Sequence, residues 1–423
     1  MSGDRVFRIA VSPFRLGEKP HLAQAYTALA ADVLARRLRE DDREVQCAAA
    51  ACAPWPPPAG GSAAAAADFT GLWKALNIRH DVFTSAGGQD AEDAALAALE
   101  KLSTAGDIVP SGGGRAFRPA NYAPRLLAHI ARDPEFILPT GRAAEVAALL
   151  EAGPADLPLP ARGAGDERAD AFGSLLACAA CCPPHGRPSL LVADAADALL
   201  YGAVWPALLL ALGRDLPRRV FLHGSWTVEG ARASRAKGNY IRPEDLARDY
   251  GADAVRYCLL RLKPFSEDGD FTMERFRAVY AEELAGGLSG LFARRVALAA
   301  RAPEHRLPSK PGDSAVFRRL SAATPGIRAD IEALRFDRAL GAVRSGVQAL
   351  TQVLDEGSRA AQGQAGLRAL LDESAWCLRL IAAWLDPFMP DTASRMLLEL
   401  GVGPFAPEAG PGQKAPPLFP PKD

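Results

Sequence analysis

The chain has 423 residues, with 49 Lys and Arg against 50 Asp and Glu and a formal net charge of -1 at pH 7. That length predicts two or three domains, and the charge balance excludes a nucleic-acid binder held by bulk positive charge. Hydrophobic residues make up 49%, yet no apolar run approaches the roughly 18 residues of a membrane span. Met1 to Ala10 lacks the apolar stretch and cleavage pattern of a signal peptide, and seven cysteines, an odd number, fit a reducing compartment better than a disulfide scaffold. The expected location is the cytoplasm, with no membrane partner.

Phe7 to Ser12 is a short β-prone run, followed by a turn-rich loop from Pro13 to Pro20. From His21 to Arg39 the period changes to helical, with Leu22, Ala25, Tyr26, Leu29, Val33 and Leu34 at three- and four-residue spacing and a basic end. Val45 to Cys52 is a second strand, and this order reads as the start of a parallel α/β sheet. Pro54 to Ser62 is a loop. Asp68–Leu76 and Asp90–Leu102 read as helices, Pro110 to Gly114 as a break, and Tyr122–Ala131 and Glu145–Leu150 as helical again. Residues Pro154 to Pro188 are loop-rich and carry Cys178, Cys181 and Cys182. Leu190–Ala193 reads as a strand, Val204–Leu212 as a helix, and Arg219–His223 as a clear strand bounded by Pro217 and Gly224. Pro243–Tyr250 opens a helix with proline and two acids in its first turn, and Ala252–Leu262 is another. Beyond Phe271 the pattern is helical: Glu274–Arg301, Ser314–Leu334, Phe336–Leu354, Leu367–Leu385 and Asp391–Leu400. The Pro/Gly-rich tail, Pro404 to Asp423, is expected to be disordered.

His21, just after Pro20, stands where a loop meets a helix N-terminus, a ready anion site because the first N–H groups lack intrahelical partners. On local sequence alone a capping or solvent-facing histidine is the commoner outcome. The loop Glu229 to Asn239 (EGARASRAKGN) sets Arg232, Ser234, Arg235 and Lys237 between glycines, a composition suited to polyphosphate. An exposed basic loop is the bland alternative. Cys178-x-x-Cys181-Cys182 with His185 has metal-like spacing, but a closed zinc site needs four ligands and no second CxxC exists. Buried or incidental cysteines are the better reading, and no metal site is assigned.

Taken together these pieces resemble methionyl-tRNA synthetases, a class I aminoacyl-tRNA synthetase family. The strongest stretch is VFLHGSWTVEGARASRAKGNYIRPEDLARDYGADAVRYCLLRLKPFSEDGDF, Val220 to Phe271, and Lys19 to Arg39 is similar to the family's first signature helix. FTGLWKALNI (Phe69–Ile78), GDI (Gly106–Ile108), FILP (Phe136–Pro139) and LDPFMPDTA (Leu385–Ala393) extend the likeness in order. It implies an α/β Rossmann-type class I synthetase catalytic domain with a shortened inserted segment, followed by an all-α helical bundle like an anticodon-binding domain. The implied boundaries are 1–108 and 189–272 for the two halves of the sheet domain, 109–188 for the insertion, 273–403 for the bundle and 404–423 for the tail.

The implied site residues depart from the family. Its His-Ile-Gly-His is here His21-Leu22-Ala23-Gln24: Ala23 adds a methyl where adenine lies, and Gln24 lacks the second histidine's positive charge. Its Lys-Met-Ser-Lys-Ser is Arg232-Ala233-Ser234-Arg235-Ala236, with guanidinium groups for amines. The resemblance places Phe14 and Ala51 in the amino-acid pocket, Ala51 where an ammonium-binding aspartate belongs. The stretch LLVADAADALLYGAVW, Leu190 to Trp205, has neither the aromatic lid nor the histidine and lysine of the family. At the anticodon-reading positions stand Thr351 and Ala360, without an aromatic platform. Nucleotide binding, if retained, would use His21, Ala23, Gln24, Arg232, Ser234 and Arg235.

The leading expectation is a paralogue that has lost methionine activation and tRNA charging, kept as a binding or regulatory module. His21, Gln24, Arg232 and Arg235 would be its vestigial catalytic set. No cofactor is then required, and retained nucleotide binding would take ATP with magnesium. The alternatives are an active ligase or amino-acid-adenylating enzyme of altered specificity, and a scaffold whose bundle docks a protein. Arg218–Arg219, Arg294–Arg295 and Arg318–Arg319 are the pairs that would touch a tRNA or another RNA, although such pairs are more often solvated surface charge.

Overall fold

The computed structural model describes residues 6–15, 20–52, 63–86, 89–111, 114–159, 167–181, 187–232, 239–302, 310–360, 363–400 and 417–422. The chain divides into two compact units. The first comprises residues 1–226, 232–244 and 266–269, and the second residues 227–231, 245–265 and 270–423. Residues 245–265, expected with the sheet domain, pack instead with the helical unit.

The first unit opens with β1 (Phe7–Val11), β2 (Phe14–Arg15), α1 (Leu22–Arg39), β3 (Val45–Cys52), α2 (Ala63–Ala75), β4 (Val82–Ala86) and α3 (Gln89–Thr104). A small antiparallel sheet of β5 (Ile108–Ser111), β6 (Gly114–Phe117) and β8 (Leu157–Pro158) is interleaved with α4 (Ala123–Arg132), β7 (Ile137–Leu138), α5 (Thr140–Glu151) and α6 (Glu167–Cys181). Its Phe117 stacks on Phe172 of α6, with ring centroids 5.2 Å apart and 10° between planes. Then follow β9 (Leu190–Asp194), a π-helical segment Leu199–Val204 continuing into α7 (Trp205–Ala211), and β10 (Val220–His223).

The main sheet runs β2-β3-β1-β9-β10-β7, with β4 also on β3. Its pairings are parallel. The chain builds outward from β1 through β3 to β4, then returns to β9 on the other side of β1. In such sheets the crevice at the carboxyl ends of the two strands flanking the reversal receives the ligand. β9 and β10 are continuous apolar runs (LLVA and VFL) because each lies between two parallel neighbours. In α1, Leu22, Ala25, Tyr26, Leu29, Val33, Leu34 and Leu38 are buried. Its basic last turn, Arg36, Arg37 and Arg39, suits the negative end of the helix dipole. Asp32, wholly buried, accepts from Arg36 Nε at 2.8 Å and from the Arg79 backbone N–H at 2.9 Å.

The stretch 154–188, expected to be loop-rich, contains α6. Ala169, Ala171, Phe172, Leu175, Leu176, Ala177, Cys178 and Ala179 are all buried, so no polar face breaks the run and no helical period marks it in sequence. Cys178 is a buried free thiol. Cys182 and His185 lie outside the described residues, and among the described residues no group of His, Cys, Asp and Glu is arranged to hold a metal.

The helical unit takes in most of α8 (Pro243–Tyr250), then α9 (Ala252–Arg261), α10 (Met273–Val279), a π-helical segment Tyr280–Ser289 and α11 (Gly290–Ala299). It continues with α12 (Ala315–Glu332), α13 (Phe336–Ala360), α14 (Gly363–Leu385) and α15 (Pro390–Glu399). Arg256 of α9 is wholly buried and donates to the Phe388 and Pro387 carbonyls at 2.7 and 2.8 Å. These bonds satisfy a cation that would otherwise be costly to bury. The tail is corrected in part. Residues 417–422 dock on the helical unit: Phe419 is buried edge-on to Tyr280, whose hydroxyl donates to the Pro420 carbonyl at 2.7 Å. Residues 404–416 and 423 lie outside the described residues. No helix among the described residues is long and apolar enough to cross a membrane.

Candidate active site

The carboxyl ends of β1 and β10 bring the first signature stretch together with the segment after β10. His21 is the N-cap of α1, with extended backbone and a half-buried side chain. The Gln24 carboxamide folds back, and its Oε1 accepts from the His21 backbone N–H at 3.1 Å. Position 24 thus completes its own helix end, as Gln does at the third position of a capping box. One turn on, the Thr27 hydroxyl shares a 2.7 Å hydrogen bond with His223 Nε2 at the end of β10. His223 Nδ1 lies 3.0 Å from the Gly224 carbonyl, and Tyr26 packs edge-on against the imidazole, 5.3 Å between centroids. Tyr26 also meets Trp226 edge-on at 5.4 Å.

The loop following β10 is tied back to the start of α1. The Tyr240 hydroxyl donates to the Pro20 carbonyl at 2.8 Å, which anchors the far end of the 229–239 loop one residue from His21. Arg232 is exposed, and its carbonyl accepts from Asn239 Nδ2 at 3.3 Å. Ser234 and Arg235 lie outside the described residues.

Asp194, at the carboxyl end of β9, accepts from the Ser225 hydroxyl at 2.5 Å and from the Ala196 N–H at 2.8 Å. Ser225 N–H donates to Asp268, which also receives Arg142 at 2.7 Å. A Cβ on Gly224 would overlap the Glu267 carbonyl, so this approach requires glycine. Thr27, His223, Tyr240, Asp194 and Ser225 were not among the sequence-derived site residues. Each sits in an ordinary local pattern, and only the fold makes them neighbours.

Phe14 and Ala51 are cross-strand partners in the β2–β3 register. Phe14 is buried, stacks on Phe69 at 4.9 Å and meets Trp73 edge-on at 5.8 Å. Here an apolar aromatic cluster holds Phe14. Nearby on β3, burial first, then the Asp32 and Asp81 carboxylates, push the Cys47 thiol up to about 12. It is therefore a neutral packing group at neutral pH and no nucleophile.

Residues 197–296 match the family described as tRNA synthetases class I (M). The chain is 26% identical over 476 residues to the methionine–tRNA ligase of Caldanaerobacter subterraneus subsp. tengcongensis, covering 94% of this chain and 74% of that protein. It is 27% identical over 474 residues to that of Mycobacterium bovis, covering 91% and 90%. The fold superposes on Mycobacterium tuberculosis methionyl-tRNA synthetase in complex with methionyl-adenylate with a TM-score of 0.82 at 24% identity, covering 98% of this chain and all of that one. The chain is thus similar over most of its length to class I methionyl-tRNA synthetases.

The helical unit carries Thr351 and Ala360, the positions that the sequence likeness sets at anticodon reading. Thr351 bonds its own helix, donating to the Val347 carbonyl at 2.8 Å, and Ala360 is the exposed last residue of α13. Thr351 lines a surface groove of about 530 Å³ with Gly286, Arg294, Gln352, Asp355 and Arg359. Its lining contains no aromatic side chain. One arginine of each pair expected to face RNA is engaged within the protein: Arg219 with Glu135, Arg294 with Asp355 at 3.6 Å and Arg318 with Asp313 at 2.6 Å; Arg218 and Arg319 are exposed. Arg295 is buried, and burial lowers its pKa.

Proposed function

We propose that this chain is a methionyl-tRNA synthetase paralogue that has lost methionine activation and the charging of tRNA with methionine. It would serve as a binding or regulatory module. The observation that carries this reading is the Gln24–His21 bond. Amino-acid activation proceeds through negative charge on the α-phosphate, and preorganised donors and cations supply most of its stabilisation. Gln24 is neutral, and its acceptor oxygen is turned onto its own backbone. The burial of Phe14 among Phe69 and Trp73 and the methyl of Ala23 support the same reading. Removing one such donor typically costs about a hundred- to a thousand-fold in rate, and here several positions differ at once.

The retained guanidinium of Arg232, exposed in the loop after β10, leaves weak binding of ATP with magnesium as the expected residual property. A tRNA or another RNA is the partner that the likeness suggests for the module; the groove at Thr351 sets Arg294 and Arg359 against Glu282, Asp355 and Glu356 and so offers no net positive charge to a phosphate backbone. The test is calorimetric titration with ATP and magnesium, with and without methionine, joined to pyrophosphate exchange across all amino acids. The expected result is weak or absent ATP binding, no enhancement by methionine and no exchange. Tight ATP binding strengthened by methionine, or exchange with any amino acid, would overturn the proposal. A gel shift with bulk tRNA then tests the RNA partner separately.

A further inference from the structure

The face of the main sheet beneath α6 and α7 holds a cavity of about 610 Å³. Its floor is a row crossing four strands in register: Val82 of β4 beside Ala48 of β3, Ala48 beside Ala10 of β1, and Ala10 beside Leu191 of β9. Cys178 of α6, with Tyr201, Trp205 and Leu209 of the π-helical segment and α7, closes it from above. Central strands of parallel sheets ordinarily carry Val, Ile or Leu at such positions. Alanine at both Ala10 and Ala48 leaves the floor low, and both residues are half-exposed although their strands lie inside the sheet.

The mouth lies at the amino ends of the strands. Arg8 and Gln46 are the second residues of β1 and β3, Arg187 precedes β9, and Arg214 and Asp215 precede β10. Of these liners Arg187, Arg214 and Asp215 are exposed, while Tyr201, Leu209 and Ala50, deeper in, are buried. His21 and His223, by contrast, stand at the carboxyl ends. The rim therefore sets the guanidinium groups of Arg8, Arg187 and Arg214 against one carboxylate over apolar walls, with Arg187 Nε already donating to the Leu216 carbonyl at 2.6 Å. The volume falls within the roughly 300–1,000 Å³ of small-molecule pockets.

We propose that this cavity is a binding site for a small organic anion with an apolar body, of the medium-chain carboxylate class. The tail lies on the Ala10–Ala48–Leu191 floor. The carboxylate meets the arginine rim, whose forked donors match its geometry. The inference rests on the cavity alone and is independent of whether the synthetase site is active.

The experiment titrates the full chain calorimetrically with sodium octanoate, 1-octanol and octylammonium chloride. Octanoate is expected to bind one site at least about tenfold more tightly than octanol, and octylammonium not to bind. Ala48→Leu fills the floor and is expected to abolish octanoate binding while holding or raising Tm. Arg214→Gln, a change at an exposed side chain whose fold is checked by Tm, is expected to weaken octanoate about tenfold and leave octanol unchanged. Absence of saturable octanoate binding overturns the site, as does binding that survives Ala48→Leu. Equal affinity for octanol and octanoate, or no effect of Arg214→Gln, overturns the anion recognition.

Discussion

Thr27 and His223 stand 196 residues apart in sequence and share a buried hydrogen bond of 2.7 Å. The bond joins the second turn of α1 to the last residue of β10, the helix that follows His21 and the strand that precedes the 229–239 loop. Thr27→Val keeps the shape and removes the hydroxyl, leaving a wholly buried imidazole nitrogen without this partner. Such a loss costs about 1–3 kcal/mol. Urea denaturation should show it as a lower midpoint at unchanged slope. A midpoint equal to wild type would mean that the bond contributes nothing to stability.

Stability should fall as pH drops below the ordinary histidine range. His80 tilts against Trp73 at 4.5 Å, and His129 meets Phe136 edge-on at 4.5 Å. Burial lowers both pKa values from 6.5. Asp81 opposes the shift at His80. Asp133 opposes it at His129, while Arg132 and Arg187 add to it. With folded pKa values below the unfolded ones, the unfolded chain takes up protons first. Stability is full above 6.5 and is lost as pH falls from there through the folded values. Denaturant midpoints across this window should decline, and the double variant His80→Phe, His129→Phe should show a flatter profile.

Two glycines of α13 should respond in opposite directions to alanine. A Cβ on Gly346 would sit 2.9 Å from Cζ3 of Trp384, a buried ring whose Nε1 donates to Thr324 at 3.1 Å. That ring cannot yield without giving up its bond. Gly346→Ala should therefore cost about 1–3 kcal/mol by overpacking. Gly341 has no neighbour within 4 Å of the added atom, and Gly341→Ala should stabilise by roughly 0.5–1 kcal/mol through helix propensity. Paired thermal melts would check both signs.

Phe419→Ala should release the docked end of the tail. Phe419 is buried, meets Tyr280 edge-on at 6.2 Å, and its N–H donates to Ser289 at 3.3 Å. Burying a phenylalanine is worth about 1.5–3 kcal/mol. Hydrogen exchange in residues 417–422 should accelerate accordingly, with protection in the β1–β10 sheet unchanged. Equal exchange in variant and wild type would show that the docking does not depend on this ring.

The sharpest element boundary in the sequence is that of α8, read as Pro243–Tyr250 and found there. Proline at the first helical position followed by Glu244 and Asp245 satisfies helix-start chemistry within four residues. α6 was missed for the opposite reason: buried on nearly every side, it carries no polar stripe to set a period. The docking of Phe419 was hidden because a Pro/Gly-rich tail has the composition of disorder, while one aromatic ring suffices to seat its end.

Among the site residues, the chain order alone places His21 at the start of α1 and Arg232 in the loop after β10. It also carries the likeness to the synthetase family, because both depend on residue identity and local period. What Gln24 does with its carboxamide, where Phe14 buries its ring, and the void above Ala10 and Ala48 were decided by tertiary structure. A hydrogen bond, a stacked ring and a cavity are relations between surfaces that only the closed sheet and its covering helices bring together. Alanine at position 48 reads as weak strand propensity in the sequence, and as missing volume once Val82, Ala10 and Leu191 stand beside it.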